Sequence, residues 1–384
     1  MKILIVNNNM EIGGIQKSLA NLLSEISTKH DVTLFLFNPE GALMDEIPEN
    51  VQVINGNFYT RVLGMSQNQA KKKGFMCAIW RSVCVILSRI FGTKWVYSML
   101  CAMQKVKGEF DAAVSFMQNS AYKTFYGGCN EFVLNSVKAN KKIAFIHCDF
   151  EKYPGNNPYN VTLYERFDTI ACVSDSTREI FERVCPKTTK KTATVYNMYA
   201  FSAMEKAAEK TADIKDDGVI TLFTSARISP EKGILRIIPI LRRIKEKGGN
   251  FRWYIAGDGP DYEKAVALSE ELNLSSDIVF LGMLDNPYPY FKNSDIVLVP
   301  SYNEAAPMVY GEAIYFKTPV FTTETTSAKE LVGTEYGWVV QNNDVEIEKE
   351  LTDLMLNPEK IREKDIAVSL SNEKACMQFE NILR

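Results

Sequence analysis

Short, almost wholly apolar runs recur along this chain, each followed by a polar or glycine-bearing turn and then a stretch of helical period. The second half is the most regular, with strand-like runs at 219–225, 251–256, 278–281, 295–299, 320–322 and 338–340. Runs this apolar suit strands buried on both faces, as in a parallel sheet covered by helices. Closely spaced parallel strands with helices between them require right-handed crossovers. The first half repeats the pattern less evenly at 3–6, 32–37, 51–54, 111–116, 142–146, 169–173 and 192–196. The fold class is therefore α/β. At 384 residues the chain suits two domains of roughly 150 to 200 residues each. The boundary falls near residue 198, where an Ala/Lys/Glu-rich segment leads to Asp216-Asp217-Gly218. This divides the chain into 1–198 and 199–371, with a helical segment at 372–384 expected to return to the first domain.

Composition narrows the function. A net charge of −3 gives no global case for nucleic acid, and 46% hydrophobic residues mark a globular protein. Eight cysteines without a C-x-x-C pair support neither a zinc site nor a redox motif, and suit a reduced, cytoplasmic setting. Met1-Lys2-Ile3-Leu4-Ile5-Val6 reads as a strand that starts at once, not as a signal peptide. No apolar stretch reaches the roughly 18 to 20 residues of a membrane span. Residues 61–107 stand apart: Arg61, Lys71, Lys72, Lys73, Arg81, Arg89, Lys94, Lys105 and Lys107 accumulate with no acid before Glu109. Phe75, Trp80, Phe91 and Trp95 are interleaved with them. That pattern fits a basic, aromatic-bearing helix lying on an anionic membrane surface, such as the inner face of the cell membrane. A core helix with a basic outer face is the alternative.

The chemistry-bearing residues lie where apolar runs end. After 3–6 come Gly13-Gly14 and a helix, but the loop lacks G-x-G-x-x-G, which disfavours a Rossmann dehydrogenase. The glycines either let backbone approach a phosphate or only permit a tight turn and close helix packing. His147 directly follows 142–146; a lone histidine is commonly structural, though this place suits a site. Arg227 and Lys232 straddle the turn after 219–225, and their spacing lets both converge beyond the sheet, as a diphosphate requires. After 295–299 comes Glu304 in a turn; Pro307 is placed at the first helical position, and Glu312 follows on that helix. Cations for a diphosphate and carboxylates for ribose and sugar hydroxyls describe a nucleotide-sugar site.

Ser225-Ala226-Arg227-Ile228-Ser229-Pro230-Glu231-Lys232-Gly233, Ile255-Ala256-Gly257-Asp258-Gly259-Pro260 and the Glu304/Glu312 pair together resemble the family 4 retaining glycosyltransferases of GT-B fold. The pair matches that family's E-x7-E motif. Gly13-Gly14, His147 and Ala171-Cys172-Val173-Ser174 extend the likeness to the first half, leaving it weak from about 57 to 106. The resemblance implies two Rossmann-like domains facing a cleft, the first binding most of the acceptor and the second the nucleotide sugar. It gives Arg227 and Lys232 the diphosphate, Glu312 the ribose, Glu304 the transferred sugar, and His147 a place near the reacting sugar. Gly13 and Gly14 would admit donor phosphate or acceptor. Met283 and Leu284 would meet the base, and Ala306 and Met308 would also face the donor. The co-substrate is a nucleotide-diphosphate sugar, UDP-sugar ahead of GDP-sugar. The absence of D-x-D fits a reaction without a metal cofactor. The expected acceptor is a glycan, as in a lipid-linked precursor of capsule or lipopolysaccharide. A silent sugar-binding subunit and a nucleotide-sugar epimerase are the alternatives. One departure stands out: many members have Gly-Phe-Gly after the first glutamate, whereas this chain has Ala305-Ala306-Pro307.

Overall fold

The apolar runs become the strands of two separate parallel sheets. The computed structural model describes every residue except 122, 211, 213, 215–217, 368 and 369, so Asp216 and Asp217 lie outside the described residues. Two units result, Met1–Tyr199 with Asn372–Arg384, and Ala200–Ser371. The first contains β1 (Lys2–Asn7), β2 (Asp31–Leu36), β3 (Gln52–Asn55), β4 (Phe110–Ser115), β5 (Ala139–Ile146), β6 (Thr169–Cys172) and β7 (Thr192–Thr194), in the order β3-β2-β1-β4-β5-β6-β7. The second contains β8 (Ile220–Ser225), β9 (Phe251–Ala256), β10 (Ile278–Gly282), β11 (Ile296–Val299), β12 (Val320–Thr323) and β13 (Gly337–Val340), in the order β10-β9-β8-β11-β12-β13.

Both sheets therefore reverse direction at one place, between β1 and β4 in the first unit and between β8 and β11 in the second. In a doubly wound sheet the crossovers before and after the reversal lie on opposite faces, which opens a crevice beyond the carboxyl ends of those two strands. The cores fix these frames. In the first unit Phe35 stacks on Phe132 with ring centroids 4.3 Å apart, and Phe37 meets the same ring edge-on. In the second, Trp253 is fully buried and its indole N–H donates to Thr224 Oγ1 at 2.9 Å, so the ring packs without an orphaned donor. Truncating either aromatic anchor to alanine costs about 3–5 kcal/mol.

The closing helix Glu373–Leu383 belongs to the first unit. Glu380 Oε1 lies 2.8 Å from His30 Nε2, Asn372 Nδ2 donates to Tyr199 O at 2.8 Å, and Phe379 is fully buried. One of the two histidines is thus engaged in tying the chain's end to its beginning. The basic segment is not one helix: it forms a short turn at Arg61–Gly64, then helices Gln67–Lys72, Phe75–Phe91 and Thr93–Ala102. Gly74 and Gly92, at φ of 122° and 82°, make the breaks. A side chain with Cβ rarely adopts that backbone.

Candidate active site

At the reversal point of the second sheet the loops after β8 and β11 are brought into contact by a glycine. Gly233 sits at φ 69°, and a Cβ there would lie 2.2 Å from the carbonyl oxygen of Pro300. Tyr302 N–H donates to Glu231 O at 2.8 Å across the same junction. Lys232 Nζ consequently reaches Glu304 Oε1 at 2.5 Å, and Ser301 Oγ donates to that oxygen at 2.8 Å. The two charged side chains keep 25% and 11% of their surface exposed, so the pair is largely withdrawn from solvent. An ion pair in this position adds little net stability, because desolvation offsets most of its Coulomb energy. Its effect is to hold an ammonium and a carboxylate in fixed positions at the crevice.

The loop carrying Glu304 is itself braced. Thr322 Oγ1 donates to Val299 O at 2.9 Å and Thr224 Oγ1 to Leu298 O at 2.7 Å, fixing the end of β11 from both neighbouring strands. Arg236 is buried; its Nε donates to Asp344 Oδ1 at 2.9 Å and its Nη1 to Asn342 Oδ1 at 2.8 Å, and the guanidinium lies 4.2 Å from the Tyr302 ring centroid. Asn342 Nδ2 in turn donates to Tyr302 O at 3.0 Å. The sequence reading omitted Arg236, Asn342 and Asp344. Its only signal there was a single charge inside the apolar run Ile234-Leu235-Arg236-Ile237-Ile238.

The loop after β8 is shaped by the glycines after β9. A Cβ at Gly257, φ 143°, would fall 1.9 Å from Ala226 O, and one at Gly259 2.2 Å from Ile228 O. Only glycine permits this packing, which sets the path of Arg227 to Lys232. Arg227 is exposed on that path, whereas the head of Lys232 is engaged by Glu304.

Glu312 is buried on the helix Met308–Tyr315. Pro307 is the residue before that helix and not its first residue, a one-residue shift from the sequence reading. At φ −68° and ψ 136° its backbone is still extended. Its carbonyl nevertheless accepts from Tyr310 N–H at 3.3 Å, so proline starts the helix from the cap. Ala305 and Ala306 are not among the non-glycine residues with positive φ, so the turn that often uses glycine in similar enzymes is made here without left-handed backbone. Tyr310 hydroxyl pairs with Thr322 Oγ1 at 2.8 Å; burial, reinforced by the Glu304 charge, pushes it above the usual phenol range. Met308 is buried beside this network in sequence, and Met283 and Leu284 lie just past the end of β10, Met283 exposed.

In the first unit the loop after β1 is polar yet buried. Asn8 Nδ2 donates to Leu63 O at 2.9 Å and to Gly127 O at 3.1 Å, and Asn9 Nδ2 donates to Gly64 O at 2.8 Å. Gly13 is extended at φ −179° and Gly14 begins the helix Gly14–Ile26. A Cβ on Gly14 would meet nothing within 4 Å, whereas one on Gly13 would fall 2.7 Å from Oε1 of the buried Gln16. Close packing thus bears on Gly13, whereas neither a tight turn nor close helix packing requires Gly14. His147, just beyond β5, is half-buried as a residue, with its ring 4.6 Å from Phe116 and 5.6 Å from Phe145 by centroids. Its Nε2 is shut off from solvent without a hydrogen-bond partner. Burial lowers its pKa to about 3, against the opposing effect of a backbone hydrogen bond involving Phe116. The imidazole is therefore neutral at ordinary pH. Among the described residues no group of three or more His, Cys, Asp or Glu is placed to hold a metal ion.

Residues 205–367 match the family described as glycosyl transferases group 1. The capsular polysaccharide biosynthesis glycosyltransferase CapM of Staphylococcus aureus is 27% identical over 161 residues, 41% of this chain and 42% of that one. The alpha-monoglucosyldiacylglycerol synthase of Streptococcus pneumoniae is 24% identical over 161 residues, 40% of this chain and 36% of that one. The chain thus spans about two-fifths of the length of the curated relatives it matches. Among solved structures, Anabaena HepE in complex with UDP superposes with a TM-score of 0.67 at 17% identity, covering 100% of this chain and 97% of the other. Residues 205–367 are accordingly a glycosyl transferases group 1 domain, in a chain with the GT-B fold.

Proposed function

We propose that the chain is a retaining glycosyltransferase of family 4 type that moves a hexose-type sugar from a nucleotide-diphosphate sugar, UDP-sugar ahead of GDP-sugar, to a glycan acceptor. The carrying observation is the Lys232–Glu304 contact at the β8/β11 reversal point, inside the region that matches the family. A carboxylate and an ammonium side by side suit the junction of a sugar and its diphosphate: the cation faces the leaving group, and the carboxylate takes sugar hydroxyls. Lys232, positioned by Glu304, turns its charge to the diphosphate, and exposed Arg227 joins it there. Glu312 serves the ribose. Met283 and Leu284 serve the base, with Ala306 and Met308 beside the donor. Gly13, Gly14 and His147 keep the roles that the resemblance gives them, His147 as a neutral imidazole.

Negative charge develops on the diphosphate as the glycosidic bond breaks. Preorganised cations at that point lower the barrier without a metal ion. The acceptor class we propose is a lipid-linked precursor of a surface polysaccharide, in line with the capsular and glycolipid relatives. Purified protein is to be incubated with a panel of UDP- and GDP-sugars and a lipid-linked glycan acceptor. The expected result is nucleotide release dependent on acceptor, with one donor strongly preferred. Absence of both transfer and donor hydrolysis across the panel, in a folded sample, contradicts the reading. Sugar interconversion without an acceptor would identify an epimerase instead.

A further inference from the structure

The helix Phe75–Phe91 presents one apolar side to solvent. Phe75 is 79% exposed and Ile90 62%, and with Met76, Ile79, Val83 and Ile86 they fall within an arc of about 100° on an ideal helix. Cys77, Cys84 and Ser88, on the opposite side, are the buried positions. The patch continues across Gly92 to Trp95, 69% exposed, at the rim of a cavity of about 350 Å³ that also includes Lys94 and Tyr159. A contiguous exposed apolar surface of this length on a folded chain marks an interaction site.

Charge decides what covers it. Residues 61–108 contain no Asp or Glu. Not every cation there is available: Arg81 donates to Met65 O at 2.8 Å and to Gln67 Oε1 at 3.0 Å, and Lys73 pairs with Glu40. Trp80 is likewise turned inward, its indole N–H donating to Tyr59 O at 3.1 Å. Lys71, Lys72, Arg89 and Lys94 are exposed and border the apolar arc. A second copy of the chain docking on this face would set cation against cation, which opposes a self-complementary interface.

We propose that this face docks on an anionic lipid bilayer. Phe75, Met76, Ile86, Ile90 and Trp95 enter the boundary between headgroups and acyl chains, while Lys72, Arg89 and Lys94 contact lipid phosphates. The helix lies in the interface and does not cross it; among the described residues no helix is long and apolar enough to span. The inference rests on the first unit alone and does not require the transfer reaction.

Flotation of the full chain with vesicles tests it. Binding is expected to vesicles of phosphatidylcholine with phosphatidylglycerol, to weaken as salt is raised, and to be at least tenfold weaker with phosphatidylcholine alone. Replacing the three bordering cations together, as Lys72→Gln, Arg89→Gln and Lys94→Gln, should lower the partition coefficient by about a hundredfold, each cation near the surface contributing about a fivefold factor. Phe75→Ser with Ile90→Ser should lower it at least tenfold. Both variants should keep the wild-type melting temperature, since all five side chains are exposed. Failure of the wild-type chain to float with anionic vesicles overturns the proposal, as does binding that both variants retain in full. Loss of self-association in the Phe75→Ser, Ile90→Ser variant, without vesicle binding by wild type, overturns it in favour of a chain–chain interface.

Discussion

The two sheets have the same strand order around their reversal points, yet they present different chemistry there. Beyond β8 and β11 a lysine and a carboxylate meet at 2.5 Å in a pair largely withdrawn from solvent. Beyond β1 lie buried asparagines bonded to backbone and a helix beginning at Gly14 with empty space beside it, with no comparable ion pair among the described residues. Topology supplies the place in both units. The side chains at the strand ends decide whether that place holds charge, and among the described residues the second holds the lysine–carboxylate pair on which the proposed diphosphate site rests.

The comparison is broken most severely at Lys232. Lys232→Ala should reduce kcat/KM at least a hundredfold, the typical loss when one preorganised charge contact at a developing anion is removed. Glu304→Gln should cost a similar factor. Steady-state kinetics on variants with wild-type circular dichroism is the check, and near-normal turnover in either removes that residue from the site. The glycines sharpen the contrast next. Gly257→Ala should destabilise the second unit by about 2 kcal/mol or more, because its backbone is left-handed and its Cβ would strike Ala226 O. Gly14→Ala, with open space and helical backbone, should leave stability unchanged or raise it by up to ~1 kcal/mol. A urea titration of each variant separates these outcomes. A fall in activity for Gly14→Ala without a fall in stability would show that the open space is used by a ligand.

His147 yields a smaller, pH-dependent effect. Its folded pKa is lowered from 6.5 to about 3, so between those values the unfolded chain binds a proton that the folded chain refuses. Stability attributable to this residue is intact above pH 6.5 and falls by about 1.4 kcal/mol for each pH unit below it. His147→Gln should flatten that slope in urea midpoints measured from pH 7 to pH 5. An unchanged slope would mean that the ring is solvated.

Much of the second sheet was legible because its strands are mostly apolar runs and its turns carry glycine, proline and charge at their ends. Arg227, Lys232, Glu304 and Glu312 were visible as charges placed just beyond such runs or on the following helix. The contact between Lys232 and Glu304 was not legible. It depends on Gly233 letting two loops that are distant in sequence touch, and sequence spacing carries no information about that approach. Arg236 was missed for the same reason: its partners Asn342 and Asp344 lie more than a hundred residues away. In the first unit the apolar pattern showed the strands but not the breaks at Gly74 and Gly92, which turn one basic stretch into separate helices and direct Arg81 and Trp80 inward. Ala305-Ala306-Pro307 looked like a departure that threatened the turn, yet proline's extended backbone and the capping carbonyl make it without positive φ.

The central claim is that Lys232, at the reversal point of the second sheet, binds the diphosphate of a nucleotide sugar. A thermal-shift titration of wild type and Lys232→Ala with a panel of UDP- and GDP-sugars addresses it directly, since a ligand that binds only the folded state raises the melting temperature with its concentration. One nucleotide class should raise the wild-type melting temperature in a saturable way and leave that of Lys232→Ala almost unmoved. No shift with any member of the panel, or an equal shift in both proteins, would contradict the account.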